Sequence, residues 1–187
     1  MAMPARPTEW TVEMARALPD DGNRYEVIDG ELFVTPAPGV WHQSAIGELM
    51  AILRPYVREH RIGHVFTAPA DVVYGPRKMV QPDLFVTPYV EGILPPTWEE
   101  LGRPILAVEV VSPSTALTDR REKRELYQSK GVPEYWVVDV DARSVDRWKV
   151  DAKESETLTD MCEWRPDRSV APLLIDLPSY FARTIEG

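Results

Sequence analysis

Residues Ile105–Val111, ILAVEVV, form an apolar run interrupted by one acid, Glu109. A run of this kind reads as a central strand covered on both faces. A carboxylate inside such a strand is costly unless it is ion-paired, hydrogen-bonded or holding a cation. The run ends at Ser112, Pro113 and Ser114, where a strand must stop, and a charged helical segment, Asp119–Lys130, follows. A buried strand therefore carries an acid near its C-terminal end and leads through a loop into a basic helix. The rest of the chain can be read as the surroundings of that acid.

The chain is long enough for that strand to sit in a real core: 187 residues, 44% of them apolar, suit one domain spanning residues 1–187. Residues 1–7 are expected to be a disordered lead-in. The net charge of -9 argues against a surface that grips nucleic acid nonspecifically. It does not exclude a nuclease, because bound cations change the local field. Cys162 is the single cysteine, which rules out an intrachain disulfide and a Cys-rich zinc site. The first 19 residues lack the apolar core of a signal peptide, and no apolar run approaches membrane-spanning length. A soluble, cytoplasmic protein is expected.

Along the chain, a short helix opens at Thr8–Thr11 and ends near Pro19–Gly22. Tyr25–Ile28 and Glu31–Thr35 flank Asp29-Gly30, a pair that favours a tight hairpin. Ile46, Leu49, Met50, Leu53 and Val57 recur at helical spacing and predict a helix from about Trp41 to Glu59, with Pro55 a point where it kinks or ends early. Val65–Phe66, Ala70–Val73 and Met79–Val86 read as strands, and Pro82 makes an edge or a bulge easier than an interior position for the last. Thr87–Gly102 is loop-like, with a helical turn near Trp98–Leu101. Asp119 and Glu122 match a capping box, with Asp119 as the helix cap. Gly131 and Pro133 end that helix, and Glu134–Val140 is a second buried strand. Val145–Val150 and Glu156–Met161 suggest an antiparallel pair, and the tail holds an extended piece, Val170–Leu177, with a final turn at Tyr180-Phe181. Strand, helix, strand from Ile105 to Val140 implies a right-handed crossover with parallel pairing. The fold class is α/β, or α+β, with a mixed central sheet.

Asp83 and Glu109 are the first acids to weigh. If their strands adjoin, two carboxylates face each other, which is unfavourable without a proton or cation between them. A hard divalent cation such as Mg²⁺ suits that pair; it lowers the pKa of bound water and stabilises charge on a phosphoryl oxygen. Lys123, in the first turns of the following helix, could reach over such a site, or could simply pair with Asp119 on the helix surface. Arg120, Arg121 and Arg124 make this helix locally basic and are candidate nucleic-acid contacts. His42, at the start of the long helix, could face the same cleft, and Glu31 and Glu48 are further candidate carboxylates. Tyr127 and Cys162 read as core residues. Ser112 and Ser114 lack the flanking glycines of a nucleophile elbow. There is no dinucleotide-binding glycine motif and no Walker loop.

These segments resemble the Uma2 family of endonucleases in the PD-(D/E)xK nuclease superfamily. The resemblance is carried by YEVIDGEL at Tyr25–Leu32, PAPGVWHQ at Pro36–Gln43, APADVV at Ala68–Val73, QPDLFV at Gln81–Val86, the long block Leu106–Val140, and LPSYF at Leu177–Phe181. It implies a restriction-endonuclease-like core, a central mixed sheet flanked by helices. It also implies that Asp83 and Glu109 hold Mg²⁺, with Mn²⁺ as a substitute, and that Lys123 positions or helps activate water. The superfamily's lysine usually stands two residues after the acid, where this chain has Val111, so Lys123 would act from the helix instead. His42 and Glu31 fall in family-like segments and are accessory candidates. The implied activity is hydrolysis of DNA phosphodiester bonds by a homodimer. A noncatalytic interaction or regulatory protein on the same fold, and hydrolysis of another phosphoester, are the alternatives.

Overall fold

The computed structural model describes residues 9–111 and 116–186. The expectations for residues 1–7 and for Ser112, Pro113 and Ser114 lie outside the described residues. The first helix, α1 (Val12–Arg16), is capped by the Thr11 side chain, which accepts the Met14 N–H. Strands β1 (Arg24–Ile28) and β2 (Glu31–Thr35) form the expected hairpin. Its turn residues Asp29 and Gly30 both have positive φ, 52° and 87°, the conformation an Asp-Gly turn supplies at low cost.

Helix α2 (Val40–Glu59) buries Ala45, Ile46, Leu49, Leu53, Tyr56 and Val57. It runs on through Pro55 rather than ending there. Pro55 faces solvent while Tyr56 and Val57 beyond it are buried, so core packing outweighs the one lost backbone hydrogen bond. After α2 come β3 (Gly63–Thr67), β4 (Val72–Gly75), β5 (Lys78–Val80) and β6 (Leu84–Pro88). The expected single strand Met79–Val86 is thus two strands. They lie in different sheets, separated by Gln81-Pro82-Asp83. Pro82 sits in the connection, which leaves β6 free to be an interior strand.

Strand β7 (Leu106–Val110) is buried along its whole length. A helical stretch follows in three pieces: α3 (Ala116–Thr118), a π-helical turn over Asp119–Lys123, and α4 (Arg124–Ser129). Asp119 is therefore not the helix cap; it lies inside the helical stretch with its side chain buried. Then come β8 (Glu134–Asp139), β9 (Ser144–Lys149), β10 (Glu156–Leu158), β11 (Met161–Trp164) and β12 (Leu173–Asp176). The chain closes with α5 (Leu177–Glu186), a full helix where a turn was expected. Its Tyr180 and Phe181 are buried, and Tyr180 donates to the Ala45 carbonyl of α2 at 3.0 Å.

The main sheet has the order β10-β9-β8-β7-β6-β3. Among the described residues, β7 and β8 are the pair of this sheet that runs parallel, as the crossover requires; the other pairs are antiparallel. A four-stranded sheet, β2-β1-β5-β4, and the pair β11-β12 complete the structure. Strand alternation decides what each face of β7 meets. Leu106, Val108 and Val110 join the α2 core. Ala107 packs with Tyr127, Tyr135 and Val137 on the α4 side, and Glu109 shares that parity. Among the described residues, no helix is long and apolar enough to cross a membrane.

Candidate active site

Strands β6 and β7 are antiparallel neighbours with Leu84 opposite Val108. One step further along this register, Asp83 meets Glu109. Asp83 Oδ2 accepts the Val110 N–H at 2.8 Å, which fixes the carboxylate at the end of the strand pair. Both acids are almost wholly buried, yet both line one cleft of about 450 Å³. Arg24, His42, Asp119, Lys123, the Pro36–Gly39 loop and Val40 at the start of α2 line the same cleft.

The two acids have different surroundings. Burial pushes the Asp83 carboxyl up, but His42, Arg24 and Lys123 outweigh it and hold it down at about 2. Arg24 Nη1 lies 2.5 Å from Asp83 Oδ1, and His42 Nε2 is 3.2 Å from the same oxygen. The His42 contact is one of proximity, because no hydrogen bond to Nε2 forms among the described residues. Glu109 shifts the other way. Burial raises its carboxyl, Lys123 opposes this, and the carboxylates of Asp83, Asp119 and Glu26 add to it, leaving it well above the usual range. Two neighbouring acids pushed apart in this way can occupy different protonation states at one pH.

Lys123 is buried among three carboxylates. Its Nζ is 2.9 Å from Glu26 Oε2, 3.1 Å from Glu109 Oε1 and 3.4 Å from Asp119 Oδ1. Burial disfavours its charge, but Glu109, Glu26 and Asp119 more than compensate, so its pKa lies well above the usual lysine value. Its three carboxylate partners favour the charged, hydrogen-bond-donating form. The π-helical turn presents Lys123, and the Tyr135 hydroxyl donates to the Asp119 carbonyl of that turn at 2.9 Å. Tyr127, expected as a core residue, is buried and also touches the site: its hydroxyl donates to Glu109 Oε1 at 3.2 Å.

The structure thus brings together Asp83, Glu109, Lys123 and His42. It does not bring Glu31, Glu48 or the three arginines to the cleft. Glu31 is exposed at the hairpin end of β2. Glu48 pairs with Arg183 of α5 at 2.8 Å. Arg120 is engaged by Asp139 and Asp146, and Arg124 lies over the Trp148 ring and pairs with Glu125. Arg121 is exposed and does not line the cleft. Sequence reading missed Arg24 and Glu26. They stand two apart on β1, so they share a face, and each meets one opposite charge of the site. Glu26 also accepts the Gln81 N–H at 2.7 Å, tying β1 to the segment that carries Asp83. The signal available was parity with Ile28: two charges on the same strand face as a buried apolar residue.

This arrangement of a mixed sheet, paired strand-end acids and a cleft between two sheets defines a restriction-endonuclease-like fold. The same fold is seen in a crystal structure described as "a putative nuclease belonging to DUF820" from Anabaena variabilis ATCC 29413. The two are 18% identical, with a TM-score of 0.77 over 94% of this chain and 99% of that one. The chain itself belongs to the Uma2 family, described as "Putative restriction endonuclease", whose sequence profile matches residues 12–172. Comparison with curated proteins gives no match.

Proposed function

We propose that this protein is a metal-dependent endonuclease acting on DNA phosphodiester bonds. The observation that supports this most strongly is the meeting of Asp83 and Glu109 at the ends of adjacent strands, in one open cleft, with Lys123 3.1 Å from Glu109. Among the described residues no three His, Cys, Asp or Glu side chains are arranged to hold a metal ion. Two hard carboxylates nevertheless fit Mg²⁺, which habitually keeps several waters and takes substrate oxygens as ligands. Asp83 and Glu109 would hold it, and it would supply an acidified water and charge stabilisation at phosphorus. Lys123 would place a positive charge beside Glu109 and, as the metal takes up that carboxylate, offer a donor to water or a substrate oxygen. The Pro36–Gly39 loop and His42 border the space the substrate would enter. The reading includes a cytoplasmic homodimer, which would place two clefts on one duplex; sedimentation of the purified protein tests that part.

The test is cleavage of plasmid and oligonucleotide DNA with Mg²⁺ or Mn²⁺, run beside calorimetric metal binding. Cleavage and binding that are both lost in Glu109→Gln, with the fold intact, support the reading. A parent protein that neither binds metal nor cuts, even with oligonucleotide present, refutes it.

One observation favours a second reading, a noncatalytic interaction protein on the same fold. Asp83 already has Arg24, and Lys123 already has three carboxylate partners. On that reading divalent metal leaves the cleft unchanged and Asp83→Asn alters stability alone.

A further inference from the structure

We propose that Arg24 is the resident counter-cation of Asp83 and is exchanged for a divalent metal ion when the site is loaded. This rests on the reading of Asp83 as a metal ligand. The two oxygens of Asp83 are unequal. Oδ2 is committed to the Val110 N–H, whereas Oδ1 faces Arg24 Nη1 at 2.5 Å and His42 at 3.2 Å. A metal ion on Oδ1 would stand within a few ångströms of the guanidinium, and repulsion between two cations that close favours release of the arginine.

The two cations of the site differ in how they are held. Lys123 is 4% exposed, sits on a helical turn and has three carboxylate partners. Arg24 is 15% exposed and lines the open cleft. Among the described residues, its Nε is buried without a hydrogen-bond partner, and Nη1 has only a long 3.5 Å approach to the Gln81 carbonyl besides Asp83. Arg24 is therefore the cation with one direct carboxylate partner and a place on the wall of the open cleft. Once displaced it remains on the cleft wall, where a planar fork of donors matches phosphate oxygens. Metal and phosphodiester binding then reinforce each other through one side chain.

The exchange sets an affinity. If the pair with Arg24 leaves Asp83 open in about one molecule in ten, apparent metal affinity is about tenfold below intrinsic. Arg24→Gln should then bind Mn²⁺ about tenfold more tightly in calorimetry. Nitrogen-15 NMR of arginine side chains in the intact protein supplies an independent readout: Mg²⁺ should convert the Arg24 guanidinium from hindered to free rotation, with no such change in Asp83→Asn. Unchanged or weaker binding by a folded Arg24→Gln, beside a parent that binds, overturns the exchange and leaves the metal reading standing. So does an Arg24 that stays hindered at saturating Mg²⁺. Absence of Mn²⁺ binding in both parent and variant, with oligonucleotide present and no cleavage, overturns both. If Arg24→Gln does not fold, the NMR titration of the parent decides.

Discussion

Lys123 Nζ lies closer to Glu26 (2.9 Å) than to Glu109 (3.1 Å), so the lysine of the site is held most closely by a residue from the four-stranded sheet. The site is thus a brace between two sheets as well as a cleft.

Replacing Lys123 by methionine keeps most of the stem and removes the charge. Three buried carboxylates then lose their shared counter-ion. Breaking a buried pair by deleting one partner typically costs about 3–5 kcal/mol, and a loss of that size is expected in urea unfolding at pH 7. The loss should shrink at pH 5, where the carboxylates can take up protons. A change below about 1 kcal/mol, the range of surface pairs, would show that these contacts do not persist in solution.

Glu109→Gln should stabilise the protein at alkaline pH. A carboxyl whose pKa is raised on folding favours the fold below its unfolded value, near 4.5, and loses that advantage as pH rises toward the raised value. Glutamine cannot ionise and removes this slope while keeping an acceptor for Tyr127. The variant should exceed the parent by at least about 1 kcal/mol at pH 8, and the gap should close toward pH 5. A variant less stable than the parent at pH 8 would mean that ionised Glu109 is a net stabilising partner of Lys123.

Gly63 opens β3 at the edge of the main sheet, where a Cβ would stand 1.8 Å from the Thr87 carbonyl oxygen and 2.8 Å from the Pro88 Cα. Both are backbone atoms of the paired strand and cannot turn aside. Gly63→Ala should destabilise by more than about 2 kcal/mol, beyond the usual range for a surface change. A melting temperature unaltered by the substitution would contradict the close approach of β3 and β6.

Cys162 is fully buried in the main core, and burial pushes its thiol up to about 12. With so little thiolate it should resist alkylation at pH 8 in the native protein and react on unfolding. Labelling rate against denaturant should follow global unfolding. Rapid labelling without denaturant would show that the β11 region opens by itself.

Much of this arrangement was legible in the residues. The Asp29-Gly30 turn, the crossover from β7 to β8 and the helical face of α2 each rest on a local rule that the tertiary structure does not override. Asp83 opposite Glu109 needed only that their strands adjoin. The failures have a local and a long-range cause. Asp119 and Glu122 have the spacing of a cap, yet Ala116–Thr118 before them are already helical and Asp119 turns inward to Lys123 one turn on. The charges misread elsewhere are taken up by distant segments. Arg24 and Glu26 look like the polar side of a short hairpin strand until the fold sets them against Asp83 and Lys123. Arg120 looks like a free cation until Asp139 and Asp146, on strands formed later in the chain, take it up.

The π-helical turn makes the direction of Lys123 a matter of counting. Each α-helical residue advances the side-chain direction by about 100°, and a π-helical turn spends an extra residue that an α-helix would not. Deleting one residue between Ala116 and Lys123 other than Asp119 would let the stretch relax to a plain α-helix while every side chain of the site remained in the sequence. In this chain a single-codon deletion can unmake the site as surely as replacing its lysine, and an inventory of residues would not reveal it.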